Sequence, residues 1–193
     1  MNPSCPSFKW SDNYTTIFET NEIVGSEKSE LLYPYDVLVD ENNTVYVADT
    51  FHNRVIRFSS GRDVMRCLTN SIEILFEGMI NETSNTNFTV IMDRTSSDNF
   101  KPTALFLTQD HTLFVVDSSN FRVQKWNYDE PLGCTVAGGQ GLGETLDKIS
   151  LSFSLYVDNE HNVYVSECGN HRVTLWMNNN SRNSRIVCRV HLG

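Results

Sequence analysis

The chain has 193 residues, with 39% hydrophobic and 20% charged residues, enough for one domain with a sizeable core and too balanced for a disordered acidic chain. Fifteen Lys plus Arg against 24 Asp plus Glu leave a formal net charge of −9, which argues against a surface built to neutralise phosphates. No apolar run reaches the roughly 18–20 residues that span a bilayer, so no membrane span is expected.

The opening Met1-Asn2-Pro3-Ser4-Cys5-Pro6 has no basic segment followed by an apolar one, so no signal peptide is read there. Five glycosylation sequons begin at Asn13, Asn42, Asn81, Asn87 and Asn179. That is only slightly more than chance supplies, and it leans the compartment weakly towards the outside of the cell. Residues 1–17 are expected to hold the tail of a preceding repeat, with Trp10 as its closing aromatic.

Three segments then align without a gap. The first runs Pro34-Tyr35-Asp36-Val37-Leu38-Val39-Asp40, then Val45-Tyr46-Val47-Ala48-Asp49, then Arg54-Val55-Ile56-Arg57-Phe58. The second runs from Pro102 through Leu113-Phe114-Val115-Val116-Asp117 to Arg122-Val123-Gln124-Lys125-Trp126. The third runs from Ser152 through Val163-Tyr164-Val165-Ser166-Glu167 to Arg172-Val173-Thr174-Leu175-Trp176. In each, an acid stands 15 residues after the first position, an Arg 5 later and an aromatic 4 after that. The first two units start 68 residues apart and the next two 50 apart, which places an insertion of about 18 residues within 70–100.

Each unit reads as short Val-, Ile-, Leu-, Tyr- and Phe-rich strands separated by Asp/Asn/Glu/His turns. The second strand is apolar on both faces, as suits a strand between neighbouring sheets. A fourth, outer strand is expected at Met65–Thr69, Gly133–Ala137 and Arg185–Val190. Four short antiparallel strands per repeat indicate propeller blades, and no stretch has sustained helical periodicity. The chain divides into blade one at 18–69, the insertion at 70–100, blade two at 101–137 and blade three at 138–193. Three blades do not close a ring that ordinarily needs four to eight. The expected fold is therefore all-β, an incomplete propeller that self-association could complete.

Val45-Tyr46-Val47-Ala48-Asp49, continued by Asn53-Arg54-Val55, resembles the NHL-repeat β-propeller family, and Gly169-Asn170-His171-Arg172-Val173 is close to that family's wording. The run Thr135 to Gly143 resembles the connector between blades in one branch of it. The resemblance covers about half the chain, implies the fold and says little about activity.

The chemistry is weighed against scaffold roles. The pairs Asp49–Arg54, Asp117–Arg122 and Glu167–Arg172 recur in every unit, and so do Phe58, Trp126 and Trp176; only a framework needs three copies of each. His111 and His161 share one turn phase, whereas His52 and His171 share the opposite one and His191 lies on the last strand, so a single zinc site does not assemble readily. The acidic turns Asp40-Glu41-Asn42 and Asp158-Asn159-Glu160 offer oxygen to calcium but lack EF-hand spacing. No cofactor is expected, with calcium and zinc as the alternatives considered. Gly138, Gly139, Gly141 and Gly143 lead to a strand and no Lys-Ser/Thr follows, so they form a connector rather than a phosphate loop. Cys67, Cys134 and Cys188 share a phase on the outer strands and read as small buried hydrophobes.

The expected function is a non-catalytic scaffold that presents the turns between second and third strands to a protein or other ligand. Those turns are Thr50, Phe51, His52 and Asn53; Ser118, Ser119, Asn120 and Phe121; and Cys168, Gly169, Asn170 and His171. Two alternatives follow from the resemblance. One is a metal-dependent propeller enzyme resembling peptidyl-hydroxyglycine amidating lyase, which lacks an evident three-histidine centre here. The other is an RNA-binding NHL module of a ubiquitin-ligase-like protein, which fits the charge of −9 poorly.

Overall fold

The computed structural model of the chain describes residues 31–59, 87–92, 99–128, 133–178 and 184–189. All but Leu31 belong to the compact unit Leu32–Gly193. The expected blade tail at residues 1–17, and the cysteines Cys5 and Cys67, lie outside the described residues.

The described strands form three four-stranded antiparallel sheets, each a blade. Blade one contains β1 (Pro34–Val39), β2 (Val45–Asp49), β3 (Arg54–Ser59) and β4 (Asn87–Met92). Blade two contains β5 (Pro102–Leu107), β6 (Leu113–Asp117), β7 (Arg122–Trp126) and β8 (Cys134–Gly138). Blade three contains β9 (Ser152–Val157), β10 (Val163–Glu167), β11 (Arg172–Trp176) and β12 (Ser184–Arg189). In every blade the strands pair in sequence order, and the first strands of successive blades, β1, β5 and β9, pack against one another. The only helical turns among the described residues are single 3-10 turns at Thr50–His52 and Cys168–Asn170.

One outer strand departs from its expected place. The partner of β3 is Asn87–Met92, with Phe58 opposite Phe88, not Met65–Thr69. The extra chain therefore lies between the third and fourth strands of blade one instead of after the blade. Loop-closure entropy rises only with the logarithm of loop length, so a long excursion before the fourth strand costs little more than a short one.

Two apolar clusters sit between the blades. Tyr46, Ala48 and Val55 of blade one meet Leu105, Leu113 and Val115 of blade two, with Phe100 beneath and Leu38, Leu107 and Trp126 at the margin. On its other face blade two sends Phe114, Val116 and Val123 against Val157, Val163, Val165 and Trp176 of blade three. All five residues of β6 are buried because a sheet covers each face. Trp126 and Trp176 thus pack between blades, while the Phe58 side chain lies outside the described residues.

One burial expectation is corrected. Cys134 and Cys188 are exposed, because they stand on the outer strands at the rim of their blades. The two end blades differ in how their valines are covered. Val37 and Val39 are exposed, but Val47 is buried, and Val163 and Val165 point into the joint with blade two. The face of blade three turned away from blade two carries the exposed Tyr156 and Ser166 and the half-buried Tyr164 and Val173, and among the described residues no sheet packs on it.

Candidate binding face

Each turn between second and third strands is built around one buried carboxylate. Asp49 and Asp117 are fully buried and Glu167 is nearly so. Asp49 accepts a hydrogen bond from the Leu32 amide at 2.7 Å on Oδ1 and one from Arg54 Nε at 2.7 Å on Oδ2, and His52 Nδ1 lies 2.9 Å from that same Oδ2. Asp117 accepts from the Lys101 amide at 3.0 Å, Asn120 Nδ2 at 2.8 Å and Arg122 Nε at 2.9 Å. Glu167 accepts from the Ser150 amide at 3.3 Å, Asn170 Nδ2 at 2.7 Å and Thr174 Oγ1 at 2.7 Å, and Arg172 Nη2 lies 3.0 Å away. The same staple recurs three times: a carboxylate ties the incoming connector, the third turn residue and the arginine that opens the next strand. A buried acid that meets three or more partners is structural, because removing it would leave those partners unpaired away from water.

The turns close through a left-handed residue at the same position, Asn53, Phe121 and His171, with φ of 55°, 50° and 51°. Next to Phe121, the backbone leaves room only for glycine: a Cβ on Gly138 (φ 69°) would lie 2.4 Å from the Phe121 carbonyl. That carbonyl accepts the Gly139 amide at 2.9 Å, which fastens the connector to the turn.

These constraints sort the twelve turn residues by what they present. Thr50 is buried and donates to the Pro102 carbonyl of blade two at 2.7 Å, and Asn170 is buried beneath its turn, donating to the Gly143 carbonyl at 2.8 Å. His52, Asn53, Ser118, Ser119, Asn120 and Phe121 are half-buried, whereas Phe51, Cys168, Gly169 and His171 are exposed.

The first strands begin at the same end of the blades, and they add residues that inspection of the turns alone does not find. Tyr33 and Tyr35 are 63% and 50% exposed, Phe153 is 52% exposed and Leu151 48%. The Tyr33 ring lies 4.8 Å from the Phe51 ring, and Lys101 Nζ stands 4.7 Å from the Phe51 centroid, a cation–π contact. Tyr35 and Phe153, from the first and third blades, approach to 6.4 Å. Both occupy the second position of their repeat, where a β-bulge interrupts the pairing. Blade two has the small Thr103 there, buried and donating to the Ser152 carbonyl at 3.2 Å. The sequence signal was an aromatic at a bulged position in two units out of three.

The opposite end has a different character. His111 Nε2 lies 3.7 Å from Glu41 of the preceding blade, and His161 Nε2 lies 3.4 Å from Asp110 of its own predecessor. The two histidines are thus each opposed to a carboxylate one blade back. A hydrogen bond from the Thr108 hydroxyl, with some help from His161, holds the Asp110 carboxyl below its ordinary value. Asp40 accepts the amides of Asn42 at 2.9 Å and Thr44 at 2.8 Å, and Asp158 those of Glu160 at 3.0 Å and Asn162 at 2.9 Å. The acidic turns thereby cap themselves. Among the described residues no three His, Cys, Asp or Glu side chains come together at metal-holding distance, and no helix is long and apolar enough to cross a membrane.

No protein-family model matches the chain, and no curated protein matches it. Solved structures do resemble it in fold. A crystal structure of a nidogen/laminin complex contains a chain with a TM-score of 0.53 and 18% identity, over 83% of this chain and 49% of that one. Virginiamycin B lyase from Staphylococcus aureus gives a TM-score of 0.52 and 9% identity, over 82% of this chain and 41% of that one. This chain therefore spans about two-fifths to half the length of those structures. At such identities the likeness carries the fold alone: the chain is an all-β protein of four-stranded β-propeller blades, set in an incomplete ring.

Proposed function

We propose that this chain is a non-catalytic NHL-type propeller module that binds a protein ligand on the face where the second-to-third-strand turns emerge. The observation that carries the reading is the exposed apolar group Tyr33, Tyr35, Phe51, Leu151 and Phe153, held at one end of three stapled blades. Aromatic anchors on a rigid base suit protein recognition, because large rings contribute contact area with few torsions to freeze. Around them the turn residues His52, Asn53, Ser118, Ser119, Asn120, Phe121, Cys168, Gly169 and His171 form a mostly polar rim, with Thr50 and Asn170 as its support. The NHL assignment rests on the Val-Tyr-Val-Ala-Asp and Asn-Arg-Val wording of blade one and the Gly-Asn-His-Arg-Val of blade three.

The test compares partners crosslinked to the native chain with those crosslinked to two double variants. Phe51→Ala with Phe153→Ala removes anchors from the proposed face, and Glu41→Ala with Asp110→Ala alters the opposite one. The expected result is a partner lost on the first double variant and kept on the second. Equal retention by both overturns the assignment of the face.

A further inference from the structure

We propose that Asn42 is an acceptor for an N-linked glycan. The sequons exceed chance too little for their number to mark a site, but position separates them. The structure describes the side chains of one, Asn42-Asn43-Thr44, in the turn that joins β1 to β2. Asn42 and Asn43 are exposed there and Thr44 is half-buried.

The turn is built without the Asn42 carboxamide. Asp40 Oδ1 accepts the amides of Asn42 at 2.9 Å and Thr44 at 2.8 Å. The Asp40 amide donates to the Thr44 carbonyl at 3.0 Å, and the Asn43 amide to the Asp40 carbonyl at 3.1 Å. Asn43 closes the turn at φ 60°, in the left-handed region that asparagine tolerates. The other two units use the repeat position of Asn42 differently. Asp110 accepts the Thr108 hydroxyl and lies 3.4 Å from His161, and Glu160 Oε2 accepts Asn162 Nδ2 at 3.2 Å. In blade one the neighbouring Glu41 faces His111 instead. Position 42 thus carries an amide that ties down nothing among the described residues.

An asparagine two residues before a threonine, with no proline between, has the acceptor pattern, and a bulky glycan needs a surface position. The donor is an oligosaccharide linked through pyrophosphate to a lipid. Asn42 Nδ2 bonds to the anomeric carbon of the first sugar, and the bond from that carbon to the pyrophosphate oxygen breaks. The electron pair leaves with the lipid pyrophosphate, the amide gives up one proton, and nothing is oxidised or reduced. The glycan stands in solvent beyond the first-to-second-strand turn, at the end opposite the proposed binding face, and no buried joint residue has to move for it. The inference does not depend on that face.

The experiment expresses the full chain behind a cleavable secretion leader in a eukaryotic host and collects it from cells and medium together. A peptide N-glycosidase in heavy-oxygen water then converts each glycan-bearing asparagine to a labelled aspartate, which mass spectrometry locates. The native chain is expected to carry the label at position 42 in most molecules. Asn42→Gln and Thr44→Val are each expected to lose that label completely, and Thr44→Ser to keep it. The glycosylated native chain and Asn42→Gln are expected to share one β-sheet circular dichroism spectrum, because the carboxamide holds no part of the turn. A native chain labelled only at other sequons, or at none, overturns the proposal, and so does a Thr44→Val variant that keeps the label at position 42. A glycosylated chain that lacks the β-sheet spectrum Asn42→Gln retains overturns it equally, since the blade then does not accommodate the glycan.

Discussion

Asp49, Asp117 and Glu167 show how a single side chain organises a blade. Each is removed from water, each meets three groups or more, and the groups lie up to 17 residues from the acid along the chain. Replacing such an acid strands a buried arginine and several donors, and breaking a buried pair in this way costs about 3–5 kcal/mol. Glu167→Ala is therefore expected to lower the urea midpoint sharply, by that amount in unfolding free energy, while Glu144→Ala on the exposed connector changes it little. A second residue-scale prediction concerns acid. Asp110 titrates below the ordinary value of 3.8 because the Thr108 hydroxyl donates to it. A depressed folded carboxyl contributes stability that is complete above the unfolded pKa and is lost as pH falls through the folded one. Thr108→Val is expected to raise the Asp110 pKa towards 3.8 in an NMR titration and to shift the acid-side loss upward in pH.

At the scale of elements, the turns are held by position more than by residue type. His171 sits exposed at φ 51°, in the left-handed region where a Cβ crowds the following carbonyl. Its counterpart in blade one is Asn53, a residue that tolerates the region. His171→Asn is accordingly expected to leave the melting temperature nearly unchanged, and the β-branched His171→Val to cost about 1–2 kcal/mol. In blade one the long stretch of chain lies between the third and fourth strands. β4 pairs with β3 across a long intervening stretch, with a bulge between Val55 and Ile56, whereas the turns joining first to second and second to third strands keep constant length in all three units. Those turns set the register that points alternate residues into the joints, and a one-residue change there would turn a whole strand over.

Across the whole molecule, stability is graded from the middle blade outward. Blade two has a sheet on each side, and Phe114, Val115, Val116 and Val123 are at most 1% exposed. Amides of β6 are expected to exchange slowest with deuterium, and those of β1 and β12 faster, because local opening is easiest where fewest apolar contacts hold the strand. Phe114→Ala is expected to cost about 3–5 kcal/mol. Tyr164→Ala, at the same repeat position on blade three, is expected to cost clearly less, since among the described residues no sheet packs on that face. Equal costs at the two positions would show that this face of blade three is covered as Phe114 is.

The repeat made the blades legible, because a strand that must fill both faces and a turn that must bury one acid leave the same residues at the same spacing each time. The Asp49, Asp117 and Glu167 pairs with arginine, the inter-blade place of Trp126 and Trp176, and the opposition of the two histidine phases all followed from that spacing. Three things did not. The fourth strand of blade one came from 87–92, since β3 accepts any extended partner and loop length barely discriminates between candidates. The exposure of Cys134 and Cys188 depended on how far the neighbouring blade reaches, which composition does not encode. The approach of Tyr35 to Phe153 joins residues 118 positions apart, on strands that are not hydrogen-bonded to each other. Local patterning determines which face of a strand is apolar; only the placing of one blade against the next decides which of those faces meet water.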